Sequence, residues 1–202
     1  MKSTFAIFAL LALGTSLLHA QTAAPAAAPT APVVKRVLPF SSNDQMIARS
    51  VSLTLQNNML IALCAKRRAD DASLSSFSTK LSGQLIKQWT PFVNVCQAHQ
   101  FSNVATEASK SLTEDVAKMR KEKGADFRKE YFKRLKMEVT RGVQFTEASL
   151  LKVQEADLKA PLESMMTLFK TVAGELEEAS KAPITPSAAA EKKGAKADPK
   201  KK

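Results

Sequence analysis

Two residues that could hold a metal ion stand one helical turn apart, in the segment Cys96-Gln97-Ala98-His99. A thiol and an imidazole at this spacing can supply two ligands, whereas a protein zinc site needs about four. No second pair of ligands lies within reach along the sequence, and nothing marks an orienting third group for a cysteine–histidine catalytic pair. We therefore interpret Cys96 and His99 as part of an ordinary helix end, and we predict no catalytic residue, no metal ion and no cofactor.

The other side chains that can bind metals also favour structural roles. A di-metal centre in a helical bundle needs inward-facing carboxylates and Glu-x-x-His motifs, and the sequence contains no such motif. Glu138 lies three residues before Arg141, which is the spacing of an ion pair on a helix. Met165 and Met166 fit an apolar helical stripe, so we predict core packing rather than a copper site, which needs several methionines.

The composition of the chain narrows the function further. Its 202 residues include only 2 His, 2 Cys and 6 Gly, and none of the glycines belongs to a phosphate-binding loop. Two cysteines are too few for a disulfide scaffold. The length and the hydrophobic share of 45% are sufficient for one domain of ordinary size with extensions. These counts favour a non-enzymatic protein.

The first residues predict export. A short basic start, the apolar run FAIFALLALGTSLL and the small residue Ala20 are together typical of a signal peptide that is cleaved before Gln21. An uncleaved anchor is the alternative, although the apolar run is shorter than the roughly 20 residues of a spanning helix. We predict a signal peptide over residues 1–20, an Ala/Pro-rich disordered linker over 21–39, a helical domain over 40–180 and a disordered Lys/Ala-rich tail over 181–202.

The formal net charge of +11 is distributed unevenly. Residues 1–20 contribute +1, residues 21–180 contribute +5, and the short segment 181–202 contributes another +5. A second basic stretch, residues 118–136, contains nine cations and three acids. Its aromatic residues follow the period of a buried helix face, so the stretch is not typical of a nucleic-acid surface.

Export decides which polyanions the protein can meet. Outside the bacterial cytoplasm these are lipopolysaccharide, teichoic acid, the cell wall and the outer-membrane surface rather than DNA or RNA. We predict electrostatic binding to such envelope polymers, and a periplasmic or outer-membrane-associated location. The predicted anion-binding residues are Arg128, Lys129, Lys133, Lys192, Lys193, Lys196, Lys200, Lys201 and Lys202.

Apolar residues between positions 40 and 180 recur at intervals of three and four, which predicts an all-α fold. A first helix is expected from the capping box Ser42-Asn43-Asp44-Gln45 to about residue 69. Asp70 or Asp71 can cap a second helix, which Pro91 is expected to kink or to restart with Thr90 as its cap. The predicted buried stripes are Met46, Ile47, Val51, Leu55, Met59 and Leu63 in the first helix, and Leu74, Phe77, Leu81 and Leu85 in the second.

A shorter helix is predicted over residues 105–123, followed by Gly124 in a left-handed conformation and by Asp126 as the cap of the third long helix. Pro161 suits the first turn of the last helix. The predicted inward residues are Phe127, Tyr131, Leu135, Val139, Val143 and Phe145, then Leu162, Met165, Met166, Phe169, Val172 and Leu176, with Lys129, Lys133 and Lys136 facing outward. The pattern predicts an antiparallel four-helix bundle with an extra short helix between helices 2 and 3.

The two cysteines are predicted not to form an intramolecular disulfide. If the first two helices turn near Asp70 and Asp71, Cys64 faces Ser78, and Cys96 lies about 27 Å further along the helix, beyond the reach of a disulfide. Cys64 is expected to be a small core residue. Cys96 is predicted to be less buried and to be available for a link between two chains.

The run SLTEDVAKMRKEKGADFRKEYFKRL, followed by FTEASL and by PLESMMTLFKTVAGELEEA, resembles the bacterial family named domain of unknown function 4142. Gly124-Ala125-Asp126-Phe127 and the pattern of Arg68-Ala69, Leu74 and Phe77 match this family as well. The resemblance covers about residues 40–180. It implies an exported, ferritin-like helical bundle, often described as an outer membrane protein, with no established activity.

The chain departs from that family at one set of positions. Members commonly carry an acid–histidine pair in the second and third helices and a histidine in the fourth, and the matching positions here are Gln84-Leu85, Glu138-Val139 and Glu175. All three histidines are replaced, so we predict that any metal site of the relatives is lost. A ferritin-like metal or redox protein that uses Glu138 and Glu175 is the alternative hypothesis.

Overall fold

The computed structural model describes residues 37–68 and 70–186 of the chain. Within these residues the fold is all-α, as predicted, with five helices and no strand. The helices are α1 (Ser42–Ala65), α2 (Ala72–Ala98), α3 (Lys110–Met119), α4 (Gly124–Leu150) and α5 (Ala156–Lys181). The predicted signal peptide, residues 21–36 of the predicted linker and the six lysines predicted between positions 192 and 202 lie outside the described residues.

Each long helix makes its main contacts with two other long helices: α1 and α5 both contact α2 and α4. The short α3 contacts α1 and α4. Side-chain hydrogen bonds tie the helix ends together in two groups. At the first group, Asn43 Nδ2 donates to the carbonyl of Lys152 at 2.8 Å, and the Gln154 N–H donates to the Asp44 carboxylate at 3.0 Å. We call this group, residues 38–44, 96–101 and 150–157, the His99 end.

The second group joins the other termini of the same helices. Arg128, at the start of α4, donates to the Asp71 carboxylate at the start of α2 and to the Ala179 carbonyl near the end of α5. Arg68, just after α1, donates to the Glu122 carbonyl in the joint between α3 and α4. We call this group, residues 66–73, 120–128 and 179–185, the Arg128 end.

Helix α1 begins one residue before the predicted position. Ser41, with non-helical φ and ψ of −58° and 159°, is the N-cap, and its hydroxyl accepts from the Asp44 N–H at 3.1 Å. The helix ends at Ala65 rather than near residue 69. The prediction that Met46 and Leu63 are core residues is wrong, because both side chains are exposed, at 65% and 44%. Besides the larger apolar side chains, the buried arc includes three alanines and three polar residues: Ala48, Ala62, Ala65, Asp44, Ser52 and Asn58.

Helix α2 runs without interruption through Pro91, so the predicted restart with Thr90 as a cap is wrong. Proline removes the hydrogen bond to the carbonyl four residues back, which belongs to Lys87. Pro91 and Lys87 are both exposed, so water can bond to that carbonyl and the helix continues. The prediction that Asp71 can cap α2 is confirmed, because its carboxylate accepts from the Leu74 N–H at 3.0 Å.

The joints around α4 and α5 differ in detail from the predictions. Gly124 has the predicted left-handed conformation, with φ of 51°, but α4 begins at this residue, so Asp126 lies in the first turn and is not the cap. Helix α5 begins at Ala156, so Pro161 lies in its second turn rather than in the predicted first turn. The Pro161 side chain is buried. Residues 182–186, assigned to the tail from the sequence, lie against the start of α2, where the Ala72 N–H donates to the Thr185 carbonyl at 2.7 Å.

The core is formed by aromatic and aliphatic side chains from all five helices. Tyr131 is fully buried, and its hydroxyl shares a 2.9 Å hydrogen bond with that of Ser78. Cys64 and Cys96 are both free thiols. Cys96 is fully buried at 0% exposure, so the suggestion that it could link two chains is wrong.

Candidate functional site

The predicted anion-binding residues on α4 fall into two groups. Lys129 and Lys133 are exposed, as predicted, and Lys133 forms one ion pair with Glu130 at 3.4 Å. Arg128 is buried at 6% exposure, so its assignment as an anion-binding residue is wrong. The helical period places Arg128 beside Phe127 on the inner side of α4, where its charge serves the protein itself.

Each of the three guanidinium nitrogens of Arg128 has a hydrogen-bond partner. Its Nη1 lies 2.5 Å from Asp71 Oδ2 and 3.0 Å from the Ser73 hydroxyl, and its Nη2 lies 2.5 Å from the Ala179 carbonyl. Its Nε donates to the Ser180 carbonyl at 3.4 Å. The guanidinium therefore neutralises the Asp71 carboxylate and satisfies carbonyls in the last turn of α5, which have no partner within a helix.

An open surface concavity of about 680 Å³ lies beside this ion pair, at the turn from α1 to α2. It is lined by Arg67, Arg68, Ala72, Ser75, Ser76, Thr79 and Lys80. Arg68 lies 3.9 Å above the Phe127 ring and pairs with Asp70 at 2.6 Å. The hydrogen bond from Arg68 holds the pKa of the Asp70 carboxyl below its ordinary value. Lys80 pairs with Glu175 at 2.7 Å, which leaves Arg67 as the cation in this lining that forms no ion pair within the described residues.

The start of α2, beside this concavity, also contacts the residues that follow α5. The Ser73 hydroxyl donates to the Pro183 carbonyl at 3.2 Å, and Thr185 is held by Ala72. Lys192, the first lysine of the predicted tail site, follows Pro186 by six positions in the sequence. In the sequence, the adjacent pair Arg67-Arg68 marks this surface. The prediction relied instead on the longer basic stretches, residues 118–136 and 181–202.

The two acids of the alternative metal hypothesis have different partners. Glu138 is buried at 6% exposure, accepts from Asn57 Nδ2 at 3.1 Å and pairs with Arg141 at 2.6 Å. Glu175 pairs with Lys80 on α2. Neither acid belongs to a cluster of three potential metal ligands in the part of the chain that the structure describes.

The described residues contain one such cluster, and it includes His99. Its other members are Glu155 and Asp157, from the joint that leads into α5, and not Cys96. His99 is buried, whereas both carboxylates reach solvent. These residues are distant in sequence and come together only through the packing of α2 against α5, so the spacing of residues along the chain could not reveal the cluster.

No protein-family model, no curated protein and no solved structure matches the chain. Among residues 37–68 and 70–186, none of the helices is both long enough and apolar enough to cross a membrane.

Proposed function

We propose that this protein is an exported, non-enzymatic interaction module of the bacterial envelope, and that its Arg128 end and lysine-rich tail bind anionic envelope polymers. The proposal rests on the placement of positive charge. The joints of the Arg128 end carry five exposed cations that form no ion pair with any described residue. They are Lys66, Arg67, Arg120, Lys121 and Lys123.

Few acidic groups at this end oppose those cations. Asp70 pairs with Arg68 and Asp71 pairs with Arg128, so Glu122 and Asp126 are the acids of these joints without a cation partner among the described residues. A surface with an excess of exposed positive charge attracts polyanions over a distance of about 10 Å at moderate salt. The lysine-rich tail, residues 187–202, follows this end of α5 in the sequence and carries a further excess of positive charge.

The proposed architecture is an antiparallel four-helix bundle with α3 as an added short helix. The contacts of α1 with α2 and α4, and of α5 with the same helices, support this arrangement, because each long helix then has two neighbours. The resemblance to domain of unknown function 4142 supports the ferritin-like form of the bundle and the export of the protein.

The two thiols support a function other than catalysis. Burial raises the pKa of the Cys64 thiol to about 11 and that of the Cys96 thiol to about 12. A catalytic cysteine needs a lowered pKa, because the thiolate is the nucleophile. Cys96 is a core residue, and Cys64 is partly buried against the core.

Sedimentation with purified cell-wall sacculi and, separately, with outer-membrane vesicles tests the proposal and distinguishes the two sources of polyanion. We expect the exported protein to sediment with at least one of them at about 50 mM salt and to be released at about 500 mM. Removal of residues 187–202 should weaken binding, and Lys66→Gln with Arg67→Gln should weaken it further.

A matched control comes from the opposite end. The double variant Lys152→Gln with Lys159→Gln removes the same charge from exposed positions and should bind within about twofold of the unaltered protein. Absence of sedimentation, or equal losses in the two double variants, would contradict a site at the Arg128 end. N-terminal sequencing of protein from the envelope fraction is expected to begin at Gln21 and tests export separately.

A further inference from the structure

The end of α2 holds His99 in a fixed position. The Phe101 N–H donates to the Cys96 carbonyl at 2.8 Å and the Gln100 N–H donates to the Gln97 carbonyl at 3.0 Å, which is the hydrogen-bond pattern of a Schellman motif. Gln100 is left-handed, with φ of 57°, as this motif requires. His99 is the C-cap of the helix, so the motif determines where its side chain begins.

The imidazole ring is then oriented by its neighbours. It stacks on Phe40 with centroids 4.3 Å apart, and its Nδ1 lies 2.6 Å from the Leu38 carbonyl. A carbonyl can only accept, so Nδ1 carries a proton, and in the neutral form of the ring the lone pair of Nε2 is free for a ligand. The His99 side chain is 2% exposed, and Nε2 is buried without a hydrogen-bond partner.

Two carboxylates lie opposite this nitrogen. Glu155 Oε1 is 3.9 Å from His99 Nε2, and Asp157 Oδ2 is 3.6 Å from it. Glu155 occupies the N-cap position of α5, but its side chain makes no capping hydrogen bond. Neither carboxylate is engaged by another side chain of the described residues, and the three potential ligand atoms lie within 4.8 Å of one another.

A lone pair on Nε2 that faces two negative carboxylates is an unfavourable arrangement unless a cation, either a proton on Nε2 or a bound metal ion, lies between them. Two ligands at about 2.1 Å from a tetrahedral zinc ion are about 3.4 Å apart, close to the separations of His99 Nε2 from both acids. We propose that His99, Glu155 and Asp157 bind one divalent transition-metal ion. Both carboxylates are partly exposed, so they can rotate by the remaining distance, and water can complete the coordination.

The ligand chemistry selects the class of ion. An imidazole nitrogen with carboxylate oxygens suits Zn²⁺ and its transition-metal neighbours, whereas Mg²⁺ and Ca²⁺ prefer oxygen ligands alone. The bond from His99 Nδ1–H to a backbone carbonyl is the second contact that metal-binding histidines usually make. This site is independent of the proposed polymer binding, because it lies at the opposite end of the helices.

Titration of the exported protein with Zn²⁺, followed by isothermal calorimetry, tests the site. We expect one ion per chain and a weakening of at least about tenfold in Asp157→Asn, Glu155→Gln and His99→Gln. In ¹H–¹⁵N spectra the His99 Nε2 resonance should shift on addition of Zn²⁺, while Nδ1 keeps its proton. Zn²⁺ at a hundredfold excess over its dissociation constant should raise the melting temperature by about 5–10 °C.

The carboxylate variants keep the test valid if His99→Gln fails to fold, because both acids are surface side chains. Glu163→Gln, two turns further along α5 and also exposed, makes the same change of charge and should bind Zn²⁺ within about twofold of the unaltered protein. The proposal is overturned if Zn²⁺ does not bind, if all variants bind alike, if Ca²⁺ binds as tightly as Zn²⁺, or if the carboxylate variants change only the protonation of His99.

Discussion

The two ends of the helices each bury one basic side chain beside acidic residues, but they satisfy it differently. Arg128 has four hydrogen-bond partners, and one of them is the matched carboxylate of Asp71. His99 has one partner, the Leu38 carbonyl, and an unpartnered nitrogen that faces two acids. A buried charge with all its partners has a structural role, whereas a buried lone pair beside unengaged carboxylates has capacity left for a ligand.

The exposed charges differ in the same way. The joints of the Arg128 end carry the unpaired cations described above, whereas the segments of the His99 end contain one exposed lysine, Lys152, against two acids that reach solvent, Glu155 and Asp157. The exposed charge is therefore mainly positive at one end and mainly negative at the other. The proposed sites follow this polarity, although each can be present without the other.

The largest expected effect is the removal of the buried arginine. Arg128→Met should lower the free energy of unfolding by about 3–5 kcal/mol, because it leaves Asp71 buried without a counter-charge and leaves carbonyls of α5 without a donor. Urea denaturation measures the change. The double variant Arg128→Met with Asp71→Asn should lose less free energy of unfolding than Arg128→Met alone, because the neutral amide of the asparagine can still cap α2.

Lys129→Met is the control for this change, because Lys129 is the next residue on α4 and is exposed. Its unfolding free energy should stay within about 0.5 kcal/mol of that of the unaltered protein. Similar losses in Arg128→Met and Lys129→Met would show that the Arg128 end does not depend on its ion pair, and the contrast between the two ends would fail.

The reactivity of the two thiols allows a comparison of the two ends, because Cys64 lies next to the Arg128 end in the sequence and Cys96 belongs to the His99 end. At pH 8, a pKa of about 11 for Cys64 and about 12 for Cys96 lowers the thiolate fraction by roughly 100-fold and 1000-fold relative to a thiol of ordinary pKa near 9. The folded protein should therefore react slowly with a disulfide reagent, and Cys96 should react last. The rate at Cys64 should continue to rise with pH up to about 11.

The sign of the accompanying stability change is fixed by the direction of these shifts. Both folded pKa values are raised, so the thiols favour the folded state below pH 9, and this contribution is lost as the pH rises towards 11 and 12. Cys64→Ser and Cys96→Ser assign each reaction to its residue. A faster reaction at Cys96 than at Cys64 would mean that the His99 end opens more readily than its burial indicates.

Much of the fold could be predicted from the sequence, because the apolar period determines which elements are helices. The cap at Asp71, the left-handed Gly124 and the exposure of Lys129 and Lys133 depend on neighbours within a few positions. The limits of α1 and the path of α2 through Pro91 were not predicted. They depend on which side of each helix the other helices leave open to water.

The two buried basic residues could not be assigned from local sequence. Arg128 was predicted to bind external anions because it stands in a basic stretch, but only the tertiary fold brings Asp71 to it. His99 was considered with Cys96 because they are one turn apart, yet its facing groups, Glu155 and Asp157, come from another helix. The contacts between helices therefore determine that Arg128 has a structural role and that His99 has a nitrogen left for a ligand.

The smallest expected effects come from the left-handed residue at each end. Gly124→Ala should destabilise the protein by about 1 kcal/mol, because alanine is strained at a φ of 51°, although no heavy atom outside the local backbone lies within 4 Å of the added Cβ. Gln100→Gly should stabilise it by less than about 1 kcal/mol, because the strain at a φ of 57° is relieved while the unfolded chain gains freedom.

Gly83→Ala is the control, since Gly83 lies inside α2 and an added Cβ there also has no close neighbour. It should stabilise the protein by about 0.5–1 kcal/mol, through helix propensity alone. If Gly124→Ala behaves like Gly83→Ala, the left-handed conformation costs nothing at the Arg128 end. If Gln100→Gly weakens Zn²⁺ binding and raises the free energy of unfolding, the strained Gln100 holds His99 towards the two carboxylates. The strain then lowers the stability of the protein and favours metal binding at the His99 end.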